Sequence, residues 1–407
     1  MKKGSFFRLV GFECRKAFLT PWMLIFLAVL LLLNGWKLLD TYNKKIERWQ
    51  EYKDQYSQTY ETYKGTITAD KVSTLMSIYA PLEAKFNAWL LNYEHDPNAY
   101  TYSEGMDEEF YRTLFVTEMK YDYFYQNESY RISSQAKELK QWYHSVGNSF
   151  ESRKNQRIAD DFEGRKIQSF ADTRSYEVLL EYDFSVMLIL LLSIFALCSV
   201  FVSERENDMY MLLRTTKHGA ATTVAAKFAA SVLFVMLICA TFFAEDFTII
   251  YFAGGNNEAL QSPVYALCQL ETTPLRMSIE TYFLWAAVIK TIGVLGCMAI
   301  ILLMSSLMKQ SLGAFLTSLA VLLGCTALQE FTPGLWVLKW FNPVELLVVR
   351  ELISTDLFVN VCNIPIRVIS FVTVGVVVAM VLTVCGILYC NRSYHNRAKR
   401  RLDHVSL

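Results

Sequence analysis

The sequence has no surplus of charge of either sign. Its 39 Lys and Arg residues balance 39 Asp and Glu residues, and charged residues make up 19% of the 407, against about 25% in an ordinary soluble domain. Without a basic excess there is no electrostatic footprint for nucleic acid. Recognisable chemistry is also missing. There is no G-x-x-x-x-G-K-[ST] loop to cradle nucleotide phosphates, no G-x-S-x-G elbow and no H-E-x-x-H helix. The five histidines (His95, His144, His218, His395 and His404) are scattered, and no Cys/His spacing suits zinc. The sequence therefore offers no catalytic residue, no metal ligand and no cofactor site. Energy for any work has to come from another polypeptide.

What is plentiful is apolar, at 53% of residues. Phe184–Val202 and Val368–Cys390 carry no charge, nor does Ser311–Leu328, and Pro21–Leu39 is interrupted only by Asn34 and Lys37. Two more runs, Phe228–Phe252 and Thr281–Met308, are long enough but contain Glu245, Asp246 and Lys290. A helix needs roughly 20 apolar residues to cross about 30 Å of hydrocarbon. The pattern predicts six transmembrane helices, at 21–39, 184–202, 228–252, 281–308, 311–328 and 368–390. Buried helices of a soluble protein would not reach this length six times.

Lys and Arg in the short segments set the orientation. Fifteen fall in 1–20, 203–227, at Lys309 and in the tail 391–407, and four (Arg276, Lys339, Arg350, Arg367) fall in the opposite loops, 253–280 and 329–367. Both termini are expected in the cytoplasm, with residues 40–183 outside. The first run is too long for a cleavable signal peptide and has no small-residue cleavage site after it. Ahead of it, 1–20 alternates apolar and basic residues, which predicts an elbow helix lying in the headgroup region; a topology signal alone would need only the charge.

Residues 40–183 are a different material. They hold 18 basic and 25 acidic residues, 17 of the 23 tyrosines and none of the nine cysteines. Ile46, Trp49, Tyr52, Tyr56, Tyr60 and Tyr63 form one helical stripe; Leu75, Ile78, Leu82, Phe86, Trp89, Leu90 and Tyr93 form a second, with Pro81 as a break. A third helix is expected from Asp107 through Phe110, Leu114, Phe115 and Met119, with polar helices at 134–146 and 149–165. The fold class is thus an all-α membrane protein with a helical extracytoplasmic domain inserted between transmembrane helices 1 and 2. Such stripes more often form a core than a ligand site, although tyrosine also suits a recognition surface.

Two sets of residues invite specific pairing. Glu245 and Asp246 in span three and Lys290 in span four can reach similar depths, which predicts an intramembrane charge pair; the alternative puts the acids at the interface and buries Lys290 alone. Cys268 and Cys362 fall in loops on the same side, which makes them a candidate disulfide.

Between spans two and three runs SERENDMYMLLRTTKHGAATTVAAK, residues 203–227. Charged residues open it, Met209, Met211, Leu212 and Leu213 make an apolar knot, and a basic turn leads to Gly219 as a helix stop. Charged flanks around apolar knobs suit a helix-in-groove contact with another protein; a connector lying on the headgroups would need the basic residues but not the acidic opening. The acid after span two, Leu212-Leu213, the Thr-rich basic turn, Gly219 and Lys227 together resemble the coupling segment of type-two ABC exporter permeases. The six-span layout, the elbow helix and the Asn342-Pro343 step before the last span are similar to that family too, and a large outside domain occurs in a firmicute subset. The resemblance implies a bacterial cell-membrane permease subunit that pairs with a second permease copy or a related one. A separate cytoplasmic ABC ATPase would supply ATP and Mg chemistry, with membrane lipid around both and no nucleic acid involved. Glu204, Arg205, Leu212, Leu213, Arg214, Lys217 and Gly219 would be the ATPase-coupling residues, and a peptide, lipid or drug-like cargo would move outward. A non-transporting receptor, sensing a peptide or cell-wall ligand through 40–183, is the competing reading. A secondary transporter would need internal repeats and broken spans, which Gly293 and Gly296 alone do not provide.

Overall fold

The computed structural model describes residues 3–47, 52–94, 100–207, 219–255, 257–330, 339–354 and 356–405. The chain is mostly helical. Six helices are long and apolar enough to cross a membrane: Pro21–Lys45, Arg174–Leu197, Thr222–Gly254, Ile279–Leu307, Ser311–Leu328 and Val368–Tyr389. These agree with the six runs of the sequence, with the helices extending past the apolar stretches at several ends.

In chain order, α1 (Lys3–Ala17) precedes α2 (Pro21–Glu47). The segment after α2 contributes α3 (Lys53–Tyr63), β1 (Gly65–Thr66), α4 (Ala69–Asn92), α5 (Tyr102–Tyr111), α6 (Thr117–Ser145), α7 (Ser149–Phe162), β2 (Ser169–Phe170) and α8 (Arg174–Glu181). Then come α9 (Phe184–Leu197), α10 (Ser203–Glu206), α11 (Gly219–Gly254), α12 (Ile279–Leu307), α13 (Ser311–Glu330), α14 (Val349–Ile353), the hairpin β3–β4 (Phe358–Val361 and Ile364–Arg367) and α15 (Val368–Val405). Among the described residues two short sheets, β1–β2 and β3–β4, are both antiparallel pairs and depart from an all-α reading.

The bundle has an inner and an outer set. In the second, third and fourth spans 61%, 44% and 50% of the most apolar stretch is buried, against 22%, 17% and 17% in the first, fifth and sixth. One core cluster joins α1, α2, α9, α11 and α12 through residues such as Ile189, Leu192, Val235, Phe242, Met298 and Ile301. Helix α1 packs on α11, where the rings of Phe18 and Phe234 stack with centroids 4.4 Å apart. The sixth span runs along the fourth, and the 3₁₀ turn Pro343–Leu347 wedges between them. Gly296 makes room for that turn: a Cβ there would lie 2.6 Å from Pro343 Cβ and 2.9 Å from Val376 Cγ1. Close approach of a neighbouring element, rather than a broken helix, therefore explains the glycines of span four.

The segment between the first and second spans has its own core. Tyr63, Leu75, Tyr79, Phe110, Leu114, Phe115, Met119 and Phe170 are buried together, with Tyr52, Tyr56 and Tyr60 packed against them. The first tyrosine stripe is thus an inward face; its two leading members, Ile46 and Trp49, fall where side chains lie outside the described residues. The second stripe is only partly inward, since Leu75 is buried while Ile78, Leu90 and Tyr93 are exposed. Pro81 does not break α4, which continues to Asn92. Helix α5 starts earlier than its apolar pattern suggests, because Thr101 and Glu104 form a capping box. A π-helical turn, Arg112–Val116, then carries it directly into the 29-residue α6.

This segment docks on two loops of the bundle. Tyr121 and Tyr125 donate hydrogen bonds to the carbonyls of Tyr265 (2.6 Å) and Glu271 (3.1 Å), and the Tyr125 and Tyr265 rings stack at 4.8 Å. The buried Arg165 donates to the carbonyls of Thr273 (2.7 Å) and Pro274 (2.9 Å). Arg367 of β4 pairs with Asp161 at the end of α7. These contacts cross more than 100 residues of chain and tie the 255–278 loop, the hairpin and the insert to one end of the bundle.

Candidate functional site

The base of the 203–227 segment is built from charged side chains turned inward. The helix of span two ends at Leu197, and the next residues unwind through turns to α10. Unwinding frees backbone groups that need partners. Lys227 Nζ donates to the Val200 carbonyl at 2.6 Å, and Ser305 Oγ accepts from Phe201 N–H at 3.1 Å. Lys227 is 2% exposed, and its charge is met by Glu204 Oε1 at 2.6 Å. Glu13 of α1 is buried beside this pair; desolvation raises its carboxyl above the usual range, with Lys227 and Lys16 pulling it down.

Next to that pair, Arg205 reaches across the bundle. Its guanidinium donates to the carbonyls of Ser306 and Met308 (2.8 Å to the latter), where span four ends. Glu206 then accepts from the backbone N–H and the hydroxyl of Ser311, both at 2.7 Å, and so caps the first turn of span five. One short stretch therefore touches the ends of spans two, three, four and five.

Glu204 and Arg205, two of the expected coupling residues, are engaged within the chain, because a lysine buried at the start of span three and carbonyls exposed at the end of span four both require partners. Gly219 is the first residue of α11 rather than a helix stop. Leu212, Leu213, Arg214 and Lys217 lie outside the described residues. Glu13 and Glu206, which sequence reasoning left out, complete the cluster; their signal was an acid inside an otherwise basic segment.

A second cluster sits at the opposite end of the bundle. Asn34 of α2 is fully buried. Its Nδ2 donates to Asp246 Oδ1 (2.7 Å) and Glu245 Oε2 (3.0 Å), and its Oδ1 accepts from the Tyr182 hydroxyl (3.0 Å). Lys290 Nζ lies 2.8 Å from Asp183 Oδ1. The expected direct pair of Lys290 with Glu245 or Asp246 is therefore corrected. The apolar run of span two begins just after Asp183, which brings that carboxylate to the lysine, while Asn34, the uncharged polar residue in span one's apolar stretch, satisfies the two acids. Asn34 and Asp183 were visible as the polar exceptions bordering those runs.

Cys268 and Cys362 are both exposed free thiols, so the candidate disulfide is not formed. Cys362 is held at the tip of the β3–β4 hairpin, where Cys362 and Asn363 have φ of +52° and +63°, the geometry of a two-residue I′ turn. The turn is fastened to the insert, since Arg153 donates to the Asn363 carbonyl at 3.3 Å.

Beside the second cluster, spans three and four enclose a cleft of about 670 Å³. Its charged lining comprises Asp183, Asp246, Lys290 and Arg350, and its apolar lining includes Met236, Phe243, Phe247, Leu284, Val288 and Leu295. No group of three or more His, Cys, Asp or Glu among the described residues could hold a metal ion. Protein-family models, curated proteins and solved structures offer no match to this chain.

Proposed function

We propose that the chain is the membrane-spanning permease subunit of an ATP-driven ABC exporter. In this reading the protein lies in a bacterial cell membrane with both termini cytoplasmic, and the 40–183 segment is an extracytoplasmic domain. A separate cytoplasmic ATPase binds the 203–227 segment, and its ATP cycle drives a peptide, lipid or drug-like cargo outward.

The observation that carries the reading is the convergence at residues 200–206. Glu204–Lys227, Lys227–Val200, Arg205–Ser306 and Glu206–Ser311 fasten the root of one loop to the ends of four spans. A displacement of that loop is transmitted to spans two to five together, as ATP-driven rocking requires. A mere connector between two helices would not need buried charge, which is expensive to place. The acid and lysine of the resemblance thus serve as the rigid root of the coupling segment, while the apolar knot at Leu212-Leu213 is left to meet the ATPase.

The test is purification of the tagged full chain from its native membranes in mild detergent. An ATPase is expected to accompany the wild type and to be lost from Leu212→Asp/Leu213→Asp. Arrival of the chain alone, or with a partner that hydrolyses no ATP, would favour the receptor reading instead.

A further inference from the structure

We propose that the cleft between spans three and four is a binding site for a phosphodiester-headed lipid that enters sideways from the bilayer. The inference rests on membrane insertion and not on the ATPase.

The cleft combines a patch of charged side chains with apolar walls. Its charges come from the start of span two (Asp183), the Asp246 turn of span three, Lys290 of span four and Arg350 of α14. Around them the lining runs along α12 from Tyr282 to Leu295, with Lys290 inside that stretch, and along α11 from Thr248 to Met236, with Asp246 inside it. At 1.5 Å per residue those stretches are about 20 and 18 Å long, slightly more than the ~15 Å depth of one leaflet's hydrocarbon. Met236, Leu284 and Val288 on the walls are 50%, 66% and 59% exposed, so the cleft opens to the side, where a bilayer would lie.

The charges select the headgroup. Asp183 occupies Lys290 through one contact of 2.8 Å, which leaves the ammonium two further donors. Asp246 is already bound by Asn34. The Arg350 guanidinium has no hydrogen bond or ion pair among the described residues, its carbonyl alone accepting from Ser354 N–H, and it lines the same space. An unpartnered guanidinium beside a partly used ammonium is a donor pair for phosphate oxygens, which Arg binds in bidentate fashion. A lipid phosphodiester supplies those oxygens, and an acyl chain supplies the apolar body that the rest of the cleft fits. A free phosphate would satisfy only the charged patch.

The experiment is native mass spectrometry of the delipidated full chain in detergent, titrated separately with phosphatidylglycerol, with diacylglycerol and with glycerol phosphate. Phosphatidylglycerol is expected to give a one-to-one adduct at least tenfold tighter than either of the others. Arg350→Gln removes the headgroup donor without breaking a side-chain hydrogen bond or ion pair among the described residues, and Ala240→Trp fills the apolar part of the cleft with the charges intact. Each is expected to weaken the adduct about tenfold while the protein keeps the wild-type elution volume and helical circular dichroism. Equal adducts with diacylglycerol, or adducts undiminished in both variants, would overturn the proposal. Preference for glycerol phosphate would do so as well, by assigning the charges to a soluble anion.

Discussion

Lys227 Nζ lies 2.6 Å from Glu204 Oε1 and 2.6 Å from the carbonyl oxygen of Val200, with its own side chain 1% exposed. A lysine so placed is tolerated because its charge and its hydrogen bonds are both met. Breaking a buried pair by removing one partner typically costs ~3–5 kcal/mol, whereas removing both costs far less. Glu204→Gln and Lys227→Met should each lower the unfolding temperature in detergent, and the double variant should recover most of the loss. Additive losses would show that the two side chains do not act as a pair.

The second cluster makes a sharper distinction. Asp183→Asn should destabilise by ~1–3 kcal/mol, the value of a charge-assisted hydrogen bond, and the exchange Asp183→Lys/Lys290→Asp should restore part of it. The exchange Glu245→Lys/Lys290→Glu should restore nothing, because Glu245 is engaged by Asn34 and not by Lys290. Thermal unfolding of the five single variants and two exchanges decides which carboxylate the lysine needs.

Gly296 and Gly313 offer a matched comparison. A Cβ at Gly296 would meet Pro343 Cβ at 2.6 Å, while a Cβ at Gly313 meets nothing within 4 Å. Gly296→Ala should destabilise by ~1–3 kcal/mol through overpacking. Gly313→Ala, in the helical α13, should be neutral or stabilising by up to ~1 kcal/mol. The two substitutions are chemically identical, so their difference in unfolding temperature reports the packing of the Pro343 turn.

Asp356 predicts a pH dependence. Burial pushes its carboxyl up to about 6 from 3.8, against the pull of Arg367, whose Nε is 3.6 Å away. Neither carboxylate oxygen has a hydrogen-bond partner. The folded state therefore holds this proton more tightly than the unfolded chain. Its contribution to stability is complete below pH 4 and is lost as pH rises through 6. Asp356→Asn should flatten that part of the stability profile and raise stability at pH 8 relative to wild type. An unchanged difference in unfolding temperature between pH 4.5 and 8 in the variant would contradict this account.

The apolar runs made the six long helices legible, because length and absence of charge are properties of the chain alone. The Tyr52, Tyr56, Tyr60 and Tyr63 face was legible for the same reason, as a 3.6-residue period. Partners were not. Whether Lys290 meets Asp183 or Asp246 depends on how three helices are rotated against one another, and the sequence carries no record of that rotation. The capping of span five by Glu206 and the wedging of Pro343 against Gly296 are likewise long-range contacts. Pro81 misled because proline is a weak rule inside a long helix whose other contacts are intact. Glu204 and Arg205 were recognised as important from their place in the loop, but their contacts turn inward, and only the packing of Lys227 and Ser306 shows it.

The most direct measurement of the central claim is photocrosslinking in living cells from a benzoylphenylalanine placed at Leu212, with a second probe at Tyr102 as control. The account predicts that Leu212 captures a nucleotide-binding polypeptide, that the adduct depends on light, and that Tyr102 captures none. Capture of that polypeptide from Tyr102, or of lipid alone from Leu212, would contradict it.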